Sequence, residues 1–196
     1  MRPDEVIDAC RSANRSFVVA VARLSDDELA SPSLLPGWSR RHVVAHVINK
    51  NEAHIGLFGG PLAGEVRRLH PDGYDPDGAA DAGAMLVTSD LRAALERSFE
   101  QLEEAWDALD DDMWSSQGIM TAGPRTMLEI AGHHLRNVEV HHVDLDVGFQ
   151  PCDWSDRFVE AELAKRLRAL PDRADHADLL AWLLGRASAP DLTKPW

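Results

Sequence analysis

Cysteine is scarce in this 196-residue chain: two residues, Cys10 and Cys152, with no CxxC spacing. That excludes a disulfide framework and a paired-cysteine zinc site. Cationic side chains are also in deficit, 20 Lys and Arg against 33 Asp and Glu, for a formal net charge of −13. So acidic a surface is unsuited to neutralising phosphates, which argues against nucleic acid and anionic lipid as partners. Apolar runs such as Phe17 to Ala22 and Leu179 to Gly185 are far too short to span a membrane. The opening Met1-Arg2-Pro3-Asp4-Glu5 holds no apolar signal region, so a cytoplasmic location is expected. A Gly-rich phosphate loop, His-Glu-x-x-His and Gly-x-Ser-x-Gly are all missing. The six tryptophans are scattered, which suits packing better than a nucleic-acid stacking platform. What is present, 44% apolar and 27% charged residues, is the balance of a globular domain with a real core.

Four segments carry helical periodicity. Val6, Cys10, Phe17, Val21 and Leu24 share one face of a helix near 3–23. Ser39 is a good N-cap for a second helix, 39–58, through Val43, Val44, Val47 and Ile48 to Phe58, with Gly59-Gly60-Pro61 as its stop. A third, 84–109, carries Leu91, Leu95, Phe99, Leu102, Trp106 and Leu109. The fourth, 126–145, carries Leu128, Ala131, Leu135, Val138, His142 and Leu145. Leu69 to Gly83, with two prolines and two glycines ahead of its end, reads as a long loop of the lid or binding type. Breakers from Gly118 to Arg125 precede the fourth helix, and no convincing run of strands is present. Ser155 to Leu170 and Asp178 to Gly185 read as further helices, and Pro190 to Trp196 as an extended tail. The expectation is an all-α fold: a four-helix bundle over 1–148 and a small helical extension over 149–196.

Histidine clusters within this frame: His42, His46 and His54 in the second helix, and His133, His134, His141 and His142 in the fourth. His42 and His46, at i and i+4, lie about 6 Å apart along the axis, a spacing that can chelate a metal and is also commonplace. His134, Asn137 and His141 share a face, but His134 and His141 are separated by roughly 10 Å of rise, too far for one ion. Asn137 and His141, one turn apart, can act together. Spacing alone leaves two readings open, a metal site or half-buried histidines satisfied by polar neighbours, the second being the commoner. Asp144 stands in the last turn, where the helix dipole disfavours a carboxylate; it is either an orienting partner for His141 or a solvated acid. Cys10 falls on the apolar face as inert core, and Cys152 falls in a loop.

Three stretches resemble a known family. Leu34-Leu35-Pro36-Gly37-Trp38-Ser39-Arg40-Arg41-His42-Val43-Val44-Ala45-His46-Val47 is similar to the opening signature of mycothiol-dependent maleylpyruvate isomerases, members of the DinB-like metalloenzyme superfamily. Arg136 to Leu145 resembles the second signature, and Asp178 to Arg186 the C-terminal helix ending in Gly-Arg. The resemblance implies a DinB-like four-helix bundle with one divalent metal, usually Zn2+, whose ligands fall on His46, Asn137 and His141. Asn137 stands where the isomerase has a glutamate, and a neutral amide is a weaker ligand than a carboxylate. The functional arginine falls on Arg186, suited to pairing with a carboxylate of substrate or thiol. Neither cysteine aligns with the site, so the nucleophilic sulfur is expected from mycothiol as cosubstrate. A metal-activated thiolate that adds and leaves after bond rotation isomerises; one that stays gives an S-conjugate. The Asn137 departure favours an S-transferase acting on a small electrophile. The alternatives are a maleylpyruvate-type cis–trans isomerase, a non-catalytic small-ligand-binding bundle and a metal-dependent hydrolase. The oligomeric state is not fixed by the sequence, a homodimer being one option.

Overall fold

The stripes of the four periodic segments become the core of a bundle in the computed structural model of the protein, which describes residues 3–192. In chain order the first helices are α1 (Pro3–Ala22), α2 (Asp26–Ala30), α3 (Arg40–Ala63), α4 (Pro76–Ala84), α5 (Thr88–Asp107) and α6 (Met127–Asp144). The long helix α3 packs on both α5 and α6, and α1 closes the other side against the same two. Phe17 and Val21 of α1, Leu91, Leu95 and Leu102 of α5, and Met127, Ile130 and Val138 of α6 are all buried. Burying one such side chain contributes about 1.5–3 kcal/mol. Helix α3 is central, with Val43, Val44, Val47, Leu57 and Phe58 buried against α2, α4, α5 and α6.

The differences from the sequence pattern have local causes. Helix α3 does not stop at Phe58 but runs through Pro61 to Ala63. It ends at Gly64 (φ 69), where the N–H groups of Gly64 and Glu65 bond Pro61 and Gly60 carbonyls at 3.1 and 2.9 Å. Gly60 has no room for a side chain, since a Cβ would lie 2.8 Å from the Glu65 carbonyl oxygen. The expected loop from Leu69 to Gly83 contains α4, with Pro76 in its first turn and Asp75 Oδ1 accepting from the Asp77 and Gly78 N–H groups at 3.2 and 3.1 Å. The expected helix 84–109 is interrupted at 85–87. There Arg41 bonds the Ala84 carbonyl at 2.7 Å, Thr88 Oγ1 at 3.0 Å and the Leu86 carbonyl, so side-chain donors replace helical ones. The breaker cluster before α6 forms a short antiparallel hairpin, β1 (Gln117–Met120) with β2 (Gly123–Thr126). It is a small addition to an otherwise all-α fold.

The chain divides into two compact units, the first ending at Ser155 and the second beginning at Asp156. Residues 149–155 stay with the bundle because α6 holds them. Trp154 Nε1 donates to the Glu139 carbonyl at 3.0 Å, Ser155 Oγ donates to Glu139 Oε1 at 2.6 Å, and Phe149 stacks on His142 at 3.8 Å. The second unit contains α7 (Asp156–Ala169) and α8 (His176–Leu183). Asp175 caps α8, and Gly185 (φ 68) closes it, with Gly185 and Arg186 N–H groups bonding the Trp182 and Ala181 carbonyls at 2.8 and 2.7 Å. Of the expected extended tail, residues 193–196 lie outside the described residues. No helix among the described residues is long and apolar enough to cross a membrane.

One core histidine makes stability depend on pH. His134 is fully buried, its Nε2 donating to Asn14 Oδ1 at 2.8 Å, with the Trp106 ring 5.3 Å away. Burial lowers its pKa from 6.5 to about 3. The unfolded chain therefore takes up a proton near pH 6.5 while the native state does not until about 3. The contribution is complete above that window and is lost as pH falls through it. The urea midpoint is expected to fall between pH 6.5 and 4. His134→Gln, which cannot titrate, should cost about 1–2 kcal/mol at pH 7 and flatten that slope. A slope unchanged in the variant would remove His134 as its source.

Candidate functional site

Two distant stretches are fastened together before any chemistry is arranged. Residues 33–38 turn tightly, Gly37 taking a φ of 80 that favours glycine, with the Ser33 N–H bonding the Trp38 carbonyl at 2.9 Å. The turn is pinned to the end of α6: the Leu34 N–H bonds the Asp144 carbonyl at 2.9 Å. Arg40 Nε bonds the Leu145 carbonyl at 2.6 Å and its Nη2 the Asp146 carbonyl at 3.0 Å. A guanidinium on the last carbonyls of a helix also complements the dipole there. This clamp sets the first turns of α3 beside the last turns of α6.

His46 and His141 consequently meet, their ring centroids 4.8 Å apart. Trp38 packs against His46 at 5.4 Å. Burial first, and then the charges of His141 and Lys50, lowers the His46 pKa to about 3, so its imidazole is neutral at physiological pH. The Asn137 side chain beside His46 favours the imidazolium but does not offset burial. The Nδ2 of Asn137 is buried without a partner. Asp144 is not a solvated acid: its Oδ2 lies 2.8 Å from His141 Nδ1, both side chains being largely shielded. That bond places the His141 proton on Nδ1 and leaves Nε2 for a ligand. His46, His141 and the Asn137 amide are thus the groups that could hold a cation. Among the described residues no cluster of three or more His, Cys, Asp or Glu does so.

The remaining histidines do other work. His42 is not a chelating partner of His46, because its Nδ1 accepts from the Ser39 N–H at 3.2 Å and its Nε2 faces Asp81 Oδ1 at 3.3 Å. It helps to cap α3. His134 is a core residue, as above, and His54 is buried beside it with ring centroids 6.0 Å apart. Arg186 is an exposed residue of the second unit, carried by the turn at Gly185. Cys10 is buried, its Sγ donating to the Ala131 carbonyl at 3.5 Å, and burial pushes its thiol pKa up. Cys152 is exposed.

A cavity of about 230 Å³ opens beside His141. Its walls are Lys50 and His54 of α3, Leu69, Met120, and His133, Arg136, Asn137, Val140 and His141 of α6. No carboxylate is among these lining residues, although the whole chain carries −13. The formally charged side chains of this lining, Lys50 and Arg136, are both cations, a composition that suits an anion. Of the cavity's polar lining residues, Lys50 is the one that the sequence pattern did not single out. Lys50 was detectable as the residue one turn beyond His46 on the same face.

Residues 10–146 match the model of the mycothiol maleylpyruvate isomerase N-terminal domain family. Among solved structures, the crystal structure of the mycothiol-dependent maleylpyruvate isomerase superposes with a TM-score of 0.80 at 23% identity, over 84% of this chain and 69% of that one. A mutant of that enzyme gives 0.79 at the same identity and coverage. YfiT from Bacillus subtilis, described as a probable metal-dependent hydrolase with an unusual four-helix bundle topology, gives 0.62 at 18% identity, over 85% and 87% of the two chains. At these identities the likeness is one of fold. No curated protein matches the sequence.

The Asp144 contact predicts a tautomer. At pH 9, nitrogen NMR of the wild type should show His141 carrying its proton on Nδ1. Asp144→Ala should move that proton largely to Nε2. An unchanged His141 pattern in the variant would mean that Asp144 does not orient the ring.

Proposed function

Because the chain belongs to the mycothiol maleylpyruvate isomerase N-terminal domain family, we propose that it is a cis–trans isomerase of a small electrophilic acid with mycothiol as cosubstrate. The observation that carries this reading is the pairing of His46 with an Asp144-oriented His141 beside a cationic cavity that no cysteine lines. The reacting sulfur must then arrive with a ligand. S-transfer, suggested by the departure at Asn137, is the second reading; the family description favours isomerisation over it.

A divalent cation, Zn2+ first, would be held by His46, His141 and Asn137. The residues fit it in three respects. The neutral His46 imidazole offers a lone pair, Asp144 leaves His141 Nε2 free to ligate, and the buried Asn137 amide is incompletely satisfied by protein. They lack an anionic donor, so retention should be weak. When bound, such an ion supplies the Lewis acidity that makes a thiol lose its proton at neutral pH. The chain's own part is to exclude water and to orient the acid. Arg136 brings positive charge to the cavity wall, and Arg186 is the residue we assign to pairing with a carboxylate of substrate or thiol.

Zinc content and turnover of a cis-unsaturated keto acid, with and without mycothiol, test this reading. His46→Ala and His141→Ala should lose metal and turnover together, while Arg186→Ala keeps the metal and raises KM. Asn137→Glu should tighten zinc binding by about tenfold or more, measured by competition with a chromophoric chelator, because an anionic ligand replaces an amide. Recovery of the thiol unchanged beside a trans product identifies isomerisation; thiol retained in the product identifies transfer. Full turnover without thiol overturns both and leaves hydrolysis.

A further inference from the structure

Two cavities meet at one lysine. The cavity beside His141 shares Lys50, Leu69 and Met120 with a second one of about 410 Å³, walled by residues 68–74, by Pro76 and by 119–121. In the larger cavity Tyr74 stacks on His70 at 3.8 Å, and Arg68 and Thr121 line the wall. Lys50 is half-buried on α3, one turn beyond His46, and lines both cavities.

Its ammonium makes no hydrogen bond and no ion pair among the described residues. The half-buried Arg11, Arg40, Arg41, Arg67 and Arg92, by contrast, all have partners, while arginines without one among the described residues, such as Arg15, Arg23 and Arg97, are exposed. A cation withdrawn from water without a counter-ion is costly, and the cost is recovered when a ligand brings the missing charge. Burial lowers the Lys50 pKa accordingly. The smaller cavity is walled by His133, Arg136, Asn137 and His141 and by no carboxylate, and Asp72, the carboxylate in the lining of the larger one, is exposed and forms no ion pair with Lys50.

We propose that Lys50 is an anion-binding residue of this site, taking a carboxylate of the ligand where the two cavities share a wall while the remainder extends into the larger cavity. The proposal rests on the reading of the cavity as a substrate pocket, and adds which residue selects an acid over its uncharged analogue. A lysine suits the place because its ammonium is a compact point charge on a flexible stem, able to follow a carboxylate that shifts as the ligand changes shape.

The test is direct binding, without thiol or turnover, of maleate and of its uncharged diamide to the full chain, by calorimetry on wild type, Lys50→Met and Lys50→Arg. Lys50→Met should weaken maleate by about tenfold or more, the loss of one charge-assisted hydrogen bond. Lys50→Arg should stay within about threefold of wild type, because the charge remains. The diamide should bind all three proteins alike. Maleate bound equally by wild type and Lys50→Met, maleate and diamide weakened in parallel, or no maleate binding to wild type would each overturn the proposal. Lys50-dependent maleate binding without thiol-dependent turnover would remove the isomerase reading and keep this one. The reverse pattern would remove this one alone.

Discussion

Arg40 joins the two halves of the site. Its guanidinium grips the carbonyls of Leu145 and Asp146 just past the end of α6, while the neighbouring turn donates the Leu34 N–H to Asp144. Side-chain packing in a bundle fixes which helices touch, but it tolerates axial slippage, because apolar stripes repeat along the axis. Polar bonds at one end set the register that packing leaves loose. Once the ends of α3 and α6 are locked, His46 and His141 fall opposite each other, and Asp144 and Trp38 hold the two rings from either side.

Charge is then distributed against the average of the molecule. An acidic exterior surrounds a cavity of lysine, arginine and histidine, and burial keeps His46, His54 and His134 uncharged so that the cost of gathering them is bearable. The same device that makes His134 a liability in acid makes His46 available as a lone-pair donor at neutral pH.

Much of this was legible from residue order. The stripes of α1 and α5 follow helical period closely enough that every residue assigned to them is buried, whereas in α6 the stripe took the half-buried Leu128 and missed the buried Met127 and Ile130; the facing of His46 and His141 followed from family likeness. Chain ends and breaks were less legible. Pro61 marks a stop only when the next residues cannot be accommodated, and here Gly60 and Gly64 let the helix run past it. The break at 85–87 depends on Arg41, more than forty positions earlier, which no local window contains. His42 looked equivalent to His46 by spacing, but the cap at Ser39 and the arrival of Asp81 take both its nitrogens. Lys50 looked like any lysine on a helix, since having no partner is a property of space and not of sequence.

The burial of Cys10 has a consequence for redox chemistry. Thiol–disulfide exchange requires a thiolate with access to the incoming sulfur, and Cys10 has neither, being enclosed in the bundle with its proton more tightly held than in water. Cys152 is the one sulfhydryl open to exchange, and it lines neither cavity at Lys50. A diffusible thiol can therefore enter and leave these cavities without forming a mixed disulfide on their walls, and oxidation of the small-thiol pool would mark the protein at Cys152 while leaving the bundle interior untouched.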